Sequence, residues 1–302
     1  MNYSSEEPIE LRKVRDFSET MNDSFSFIKQ HFKNLFKPLL YISGFFIIAT
    51  IASSVAQQMK TIRLVGLAKA STSTVLAENM TGYTFGLAYF LLLLFSILSV
   101  SVIYLVTYCY MKLYKEHYHT IPSMQAVWDL FKSHIISFFI ATILLSIFIF
   151  IGFLFCLVPG FYLIPIISLT LPIMIMEDKG LFEALSRSIQ LIKDHWWKTF
   201  ALIFLASIIA YFSMGILSLP SAFLSIGAVF VEDSPTLVLA GSIFGSILTG
   251  LAQLFYILPA IVSALWYFSL TEEKDGLGLM ERIEGFGSGG VKASNDWPKE
   301  EY

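Results

Sequence analysis

Ile135–Val158 reads IISFFIATILLSIFIFIGFLFCLV, 24 residues without a charge. Lys132 and His134 stand just before it, and Pro159-Gly160 follows. At about 1.5 Å per residue a helix of this length crosses a hydrocarbon core of about 30 Å. A strand in lipid would leave its backbone groups unpaired, so the helix is the reading.

Five more runs follow the same rule: Pro38–Ala56, Phe85–Tyr110, Phe161–Met176, Thr199–Leu219 and Leu237–Leu270. The composition agrees. Apolar residues make up 56% of the 302, charged residues 14%, and the mean hydropathy is +0.69. Soluble domains carry roughly 25% charge. A net charge of −3 suggests no nucleic-acid partner. The polar first 37 residues predict no cleavable signal peptide, so the first apolar run acts as the insertion signal.

None of the 20 Lys and Arg residues lies inside a run, and 17 of them fall in alternate gaps. Cations collect on the cytoplasmic side of membrane proteins. The pattern predicts both termini inside and an even number of spans.

Lys-x-His recurs before the first, third and fifth runs: Lys29 and His31, Lys132 and His134, Lys193 and His195. At a constant offset of 164, Phe17, Met21, Phe25, Ile28 and Phe32 match Leu181, Leu185, Ile189, Ile192 and Trp196. Phe17, Met21, Phe25, Ile28, Phe32 and Leu35 form one apolar stripe of a helix, with Asp16, Glu19, Asp23 and Lys29 off it. Such helices lie in the interface with the apolar side in lipid.

The expected fold is therefore an all-α integral membrane protein. Its six transmembrane helices form three hairpins, each preceded by a cytoplasmic interfacial amphipathic helix. The membrane domain takes residues 1–270, in units of about 15–110, 121–176 and 180–270. Residues 271–302 form an acidic, largely disordered cytoplasmic tail.

Lys29, His31, Lys132, His134, Lys193, His195 and Trp196 are the candidate contacts to lipid headgroups, since snorkelling cations and Trp favour that level. Their partners would be membrane lipids, anionic ones above all. The polar tail adds a candidate docking segment for a membrane or cytoplasmic protein.

The runs hold no Asp, Glu, Lys, Arg or His, which argues against a proton-coupled pump. The Pro-interrupted fourth run and the Gly-rich sixth run define a candidate cavity of Ser168, Thr170, Ser246, Thr249 and Gln253. Gly241 and Gly245 form a GxxxG pair suited to close helix packing. Asp178, after Glu177, is the expected N-cap of the next helix. Cys109 and Cys156 fall at opposite faces and should not pair. No cysteine–histidine spacing suits a metal, so no cofactor is expected and no enzyme either.

The order Val158-Pro159-Gly160-Phe161-Tyr162-Leu163, then Pro172, Glu177, and Glu183-Ala184-Leu185-Ser186-Arg187-Ser188 resembles a bacterial superfamily of six-span inner-membrane proteins. It includes the membrane domain of some glycerophosphodiester phosphodiesterases and several uncharacterised families. The ending Trp266-Tyr267-Phe268-Ser269-Leu270 to Ile283 is similar to the Bacteroidota form. The resemblance gives Pro159, Gly160, Tyr162, Pro165, Pro172, Glu177, Asp178 and Ser188 as structural motif residues, and the bacterial cytoplasmic membrane as the location. It implies a helical fold and no established activity. The diesterase chemistry belongs to a separate barrel that this chain does not carry.

Function is then read as non-catalytic: membrane-organising, lipid-associated or partner-scaffolding. The alternative is a carrier or pore for an uncharged or lipid-like solute. Reporters fused to either end should both read cytoplasmic; opposite sides would overturn the charge argument.

Overall fold

The computed structural model describes residues 9–70, 86–116, 121–155, 157–230 and 235–276. His117, His119, Asn79-Met80-Thr81, Cys156, Glu232, Asp233 and the tail from Leu277 lie outside them. Every element among the described residues is helical. In chain order these are α1 (Phe17–Ala70), α2 (Leu87–Glu116), α3 (Met124–Phe155), α4 (Leu157–Met176), α5 (Leu181–Ile192), α6 (Trp196–Phe230) and α7 (Pro235–Ala252). A single 3-10 turn (Gln253–Tyr256) then leads into α8 (Ile257–Asp275). Six stretches are long and apolar enough to cross a membrane, as a multi-pass membrane protein requires.

Helix boundaries depart from hydropathy boundaries. The stripe before the first run and the run itself form one helix of 54 residues, and Pro38 does not divide it. Residues before and within the third run likewise join in α3. A separate amphipathic helix exists before the fifth run, where α5 ends at Ile192 and a turn over Lys193–His195 leads into α6. The expected turn at Val158-Pro159-Gly160 is helical instead. Helix α4 already begins at Leu157, so Pro159 sits in its first turn, where its missing N–H costs nothing.

The sixth run is longer than one crossing needs and stays helical throughout, as α7, a 3-10 turn and α8. Pro259 cannot donate to the carbonyl of Phe255, and its ring crowds that turn. The chain tightens into the 3-10 turn there.

The centre of the bundle is α8. Every residue from Leu258 to Leu270 is buried, and α8 packs on α1, α2, α4, α5 and α6. The three most extensive interfaces join α1 to α2, α6 to α7 and α3 to α4.

Small residues set how near the helices come. A Cβ on Gly160 would stand 2.6 Å from the Phe153 ring, and one on Gly152 would meet Gly160 Cα at 3.2 Å. Gly245 faces Ser221 of α6, where a Cβ would sit 3.0 Å from the serine Cβ. Gly250 brings α7 onto α1, and a Cβ there would lie 2.3 Å from Ile51 Cγ1.

Gly250→Ala should therefore lower the thermal midpoint in detergent, at a cost of about 1–3 kcal/mol for overpacking. Adding Ile51→Ala to the same chain should recover part of that loss. A neutral Gly250→Ala would deny the contact.

Candidate functional site at the polar end of the bundle

Ionisable residues gather where α2, α4 and α8 end. A span cannot carry them in its middle, so they follow the last apolar turn. Glu177 and Asp178 terminate α4 and reach four other helices between them.

Glu177 accepts a hydrogen bond from the Tyr267 hydroxyl at 2.9 Å, pairs with Lys179, and lies 3.6 Å from Arg187 Nε. Arg187 of α5 also pairs with Asp275 at the end of α8. Asp178 accepts from Lys112 Nζ at 2.5 Å, and its other oxygen lies 3.0 Å from His134 Nε2. So α2, α3, α5 and α8 are tied to the end of α4.

Asp178 is not the helix cap its position suggests. The N-cap of α5 is Gly180, without a side-chain cap. Asp178 stands at φ 50°, in the left-handed region that Asp tolerates better than most side chains. The chain reverses there, directing the carboxylate to Lys112 and His134.

Arg15 closes the other flank. It is 4% exposed, yet Nε donates to Asp23 at 2.7 Å and Nη1 to the carbonyl of Leu11 at 2.8 Å. Its backbone N–H donates to Ser269 Oγ at 2.8 Å, joining the segment before α1 to α8. Sequence reading counted Arg15 as one more cation and missed this role. The available signal was a serine inside the all-apolar ending Trp266–Leu270.

The first two Lys-x-His copies lie within helices and the third in the turn before α6. Lys29, Lys132 and Lys193 are exposed. Each histidine is less exposed than its lysine and contacts a later helix or its end. His31 is 6% exposed, stacks on Phe27 at 4.5 Å and lies 2.9 Å from the Tyr110 hydroxyl. His134 meets Asp178, and His195 lies 3.4 Å from Glu273 and edge-on to Trp266. The lysines therefore face outward where headgroups would lie, whereas the histidines join each first helix to the end of a later one.

Burial follows the same offsets. Thr20, Ser24, Phe27, Pro38 and Ile42 are buried, and so are Ala184, Ser188, Leu191, Leu202 and Ala206, 164 positions on. At an offset of 103, Val127, Phe138, Ala141 and Leu145 repeat the burial of Ser24, Leu35, Pro38 and Ile42.

The motif residues of α4 act in packing. Ser188 Oγ donates to the Ile166 carbonyl at 2.6 Å, beside Pro165. Trp196 stacks on Tyr162 at 5.6 Å and donates to its carbonyl at 3.2 Å. Pro172 lies within α4 and does not end it.

The five candidate cavity residues do not converge. Ser168 donates to the Pro165 carbonyl and Thr170 to that of Ile166, both within α4. Ser246 bonds Gln58 and Ser54 of α1, Thr249 is exposed, and Gln253 Oε1 is buried without a partner. Helix α4 packs on α2, α3, α5, α6 and α8, whereas α7 packs on α1 and α6.

Three concavities stand out. A pocket of about 280 Å³ at the polar end is lined by Arg12, Lys115 and Arg187 against Glu177, Glu272 and Asp275. An apolar groove of about 510 Å³ runs between α1 and α6. A basic hollow lies beside Lys29 and Lys33. Among the described residues no three His, Cys, Asp or Glu groups gather in a way that would hold a metal. Cys109 is buried.

No family model, no curated protein and no solved structure matches the chain.

Burial raises the carboxyl pKa of Glu177, but the bonds from Lys179 and Tyr267 and the nearby cations outweigh it and leave it below the usual value. Asp178 is lowered in the same way, burial being overcome by Lys112 and His134. A depressed carboxyl contributes stability above its unfolded pKa and loses it as pH falls through the folded one. The thermal midpoint in detergent should hold at neutral pH and fall below the ordinary carboxylate range. Glu177→Gln should cost about 2 kcal/mol at neutral pH and flatten that acid slope. An unchanged slope would remove Glu177 from the linkage.

Proposed function

We propose that this chain is a non-catalytic, multi-pass protein of the bacterial inner membrane that associates with acidic lipid. It organises that lipid from the cytoplasmic side, where both termini lie. Three related hairpins, α1–α2, α3–α4 and α6–α8, each enter from the cytoplasm behind a Lys-x-His elbow. The six-span superfamily that Val158–Phe200 resembles fits this arrangement.

The observation that carries the reading is the division of labour at the elbows. Each histidine contacts a later helix or its end, and Lys29, Lys132 and Lys193 are exposed, Lys132 also pairing with Asp129 at 3.0 Å. A cation held at that level by a rigid neighbour attracts phosphates, at about 1 kcal/mol for each lysine near an anionic surface. Exposed Phe25, Phe32 and Trp197 beside these lysines suit the acyl boundary below the headgroups. Hydroxyl groups in α4 turned to their own backbone support a packed bundle over a solute path.

Changing Lys29, Lys132 and Lys193 together to Gln should weaken retention of phosphatidylglycerol by about a hundredfold, read as lipid bound per protein after purification. Unchanged acidic lipid in a folded triple variant would reject the collar.

A further inference from the structure

The apolar groove and the basic hollow are neighbours on α1. Phe32 lines both. Above it, Lys29 and Lys33 lie one helical turn apart and both are exposed. Below it, the groove continues along Phe36 and Leu35 of α1 to Ser213 and Leu217 of α6, with Leu254 and Leu258 as its floor.

The 3-10 turn in the sixth run shapes this floor. Pro259 forces the 3-10 turn at Gln253–Tyr256, and Leu254 and Phe255 of that turn face the groove. Helices α1 and α6 make little contact with one another while both pack on α7, so a furrow remains between them. Its rim is accessible: Phe25, Phe32, Leu251 and Phe255 are each at least 40% exposed. The one polar side chain in it, Ser213, spends its hydroxyl on the Ile209 carbonyl. The volume lies within the usual range for small-molecule sites, about 300–1,000 Å³.

A furrow whose wall is apolar but for Ser213, opening beside two lysines, complements a molecule with a hydrocarbon chain and an anionic head. We infer that it holds one acyl chain of a single anionic phospholipid, with the phosphate at Lys29 and Lys33. This rests on the lipid-associated reading above and adds a defined site to the general attraction of the elbows. A purely electrostatic collar would hold acidic lipid all round the bundle. A seated chain marks one place on it.

The test uses the full chain in phosphatidylcholine vesicles whose only anionic lipid is a phosphatidylglycerol with a photoreactive acyl chain. Crosslinked peptides are identified by mass spectrometry. The expected crosslinks concentrate on segments around Phe32, Ser213 and Phe255. Lys33→Gln should reduce them about fivefold, and the same photoreactive chain on phosphatidylcholine should label the segments weakly. Ser213→Trp fills the furrow and leaves every lysine in place, so it should abolish the groove crosslinks and spare total phosphatidylglycerol retention. Leu251→Trp fills it from α7 and serves if Ser213→Trp unfolds.

Crosslinks spread evenly round the bundle, or insensitive to both Lys33→Gln and the filling variants, overturn the site and leave the collar standing. A wild-type chain that retains no acidic lipid overturns both.

Discussion

Helices already in a membrane gain nothing from hiding apolar surface from one another, because lipid tails are as apolar as leucine. Their association depends on close van der Waals approach and on polar contacts. The latter are gathered here at one end. Glu177 and Asp178, two adjacent carboxylates, reach α2, α3, α5 and α8 through Lys112, His134, Arg187 and Tyr267. Arg15 adds α1 through Asp23 and Ser269. Glycines at 152, 160, 245 and 250 provide the close approach away from that end. The bundle is thus clasped at its polar end and packed by small residues further along.

The six spans were legible because each apolar run outlasts any core helix of ordinary length. Their ends were not. Helix α1 continues from Phe17 to Ala70 because nothing on either side of the apolar run breaks a helix, and Pro38 costs one hydrogen bond without stopping it. The apolar stripe of α1 was expected to face lipid, and Phe17, Phe25 and Phe32 on it are exposed, whereas Met21 and Leu35 of the same stripe are buried together with Thr20, Ser24 and His31. In lipid the preference inverts: large apolar side chains suit the acyl phase, and small or hydrogen-bonding ones suit a neighbouring helix. Asp178 illustrates the same limit at the site. Its partners stand 66 and 44 positions away, and no local pattern points to them.

The Lys-x-His motif was visible as a recurrence, and one role was assigned to both of its residues. Spacing explains why they part. Two positions apart on a helix is a rotation of about 200°, so the pair cannot share a face. On the two elbows that lie within helices, lysine on the outside turns histidine toward the neighbouring helix, where His31 is buried and His134 half-buried; at the third, the turn over Lys193–His195 separates the pair instead. The recurrence of burial at offsets of 103 and 164 extends that logic beyond the motif.

The burial of α8 bears on how the protein is made. Synthesis proceeds from the amino end, and chains fold as they emerge. The helix on which α1, α2, α4, α5 and α6 all converge is the last of the eight to leave the ribosome. Until it arrives, the earlier helices wait in the bilayer around an unfilled axis, with Tyr108 and Thr199 lacking the Ser263 and Trp266 they later bond. The buried contacts at the axis of the bundle are complete only once α8 is in place.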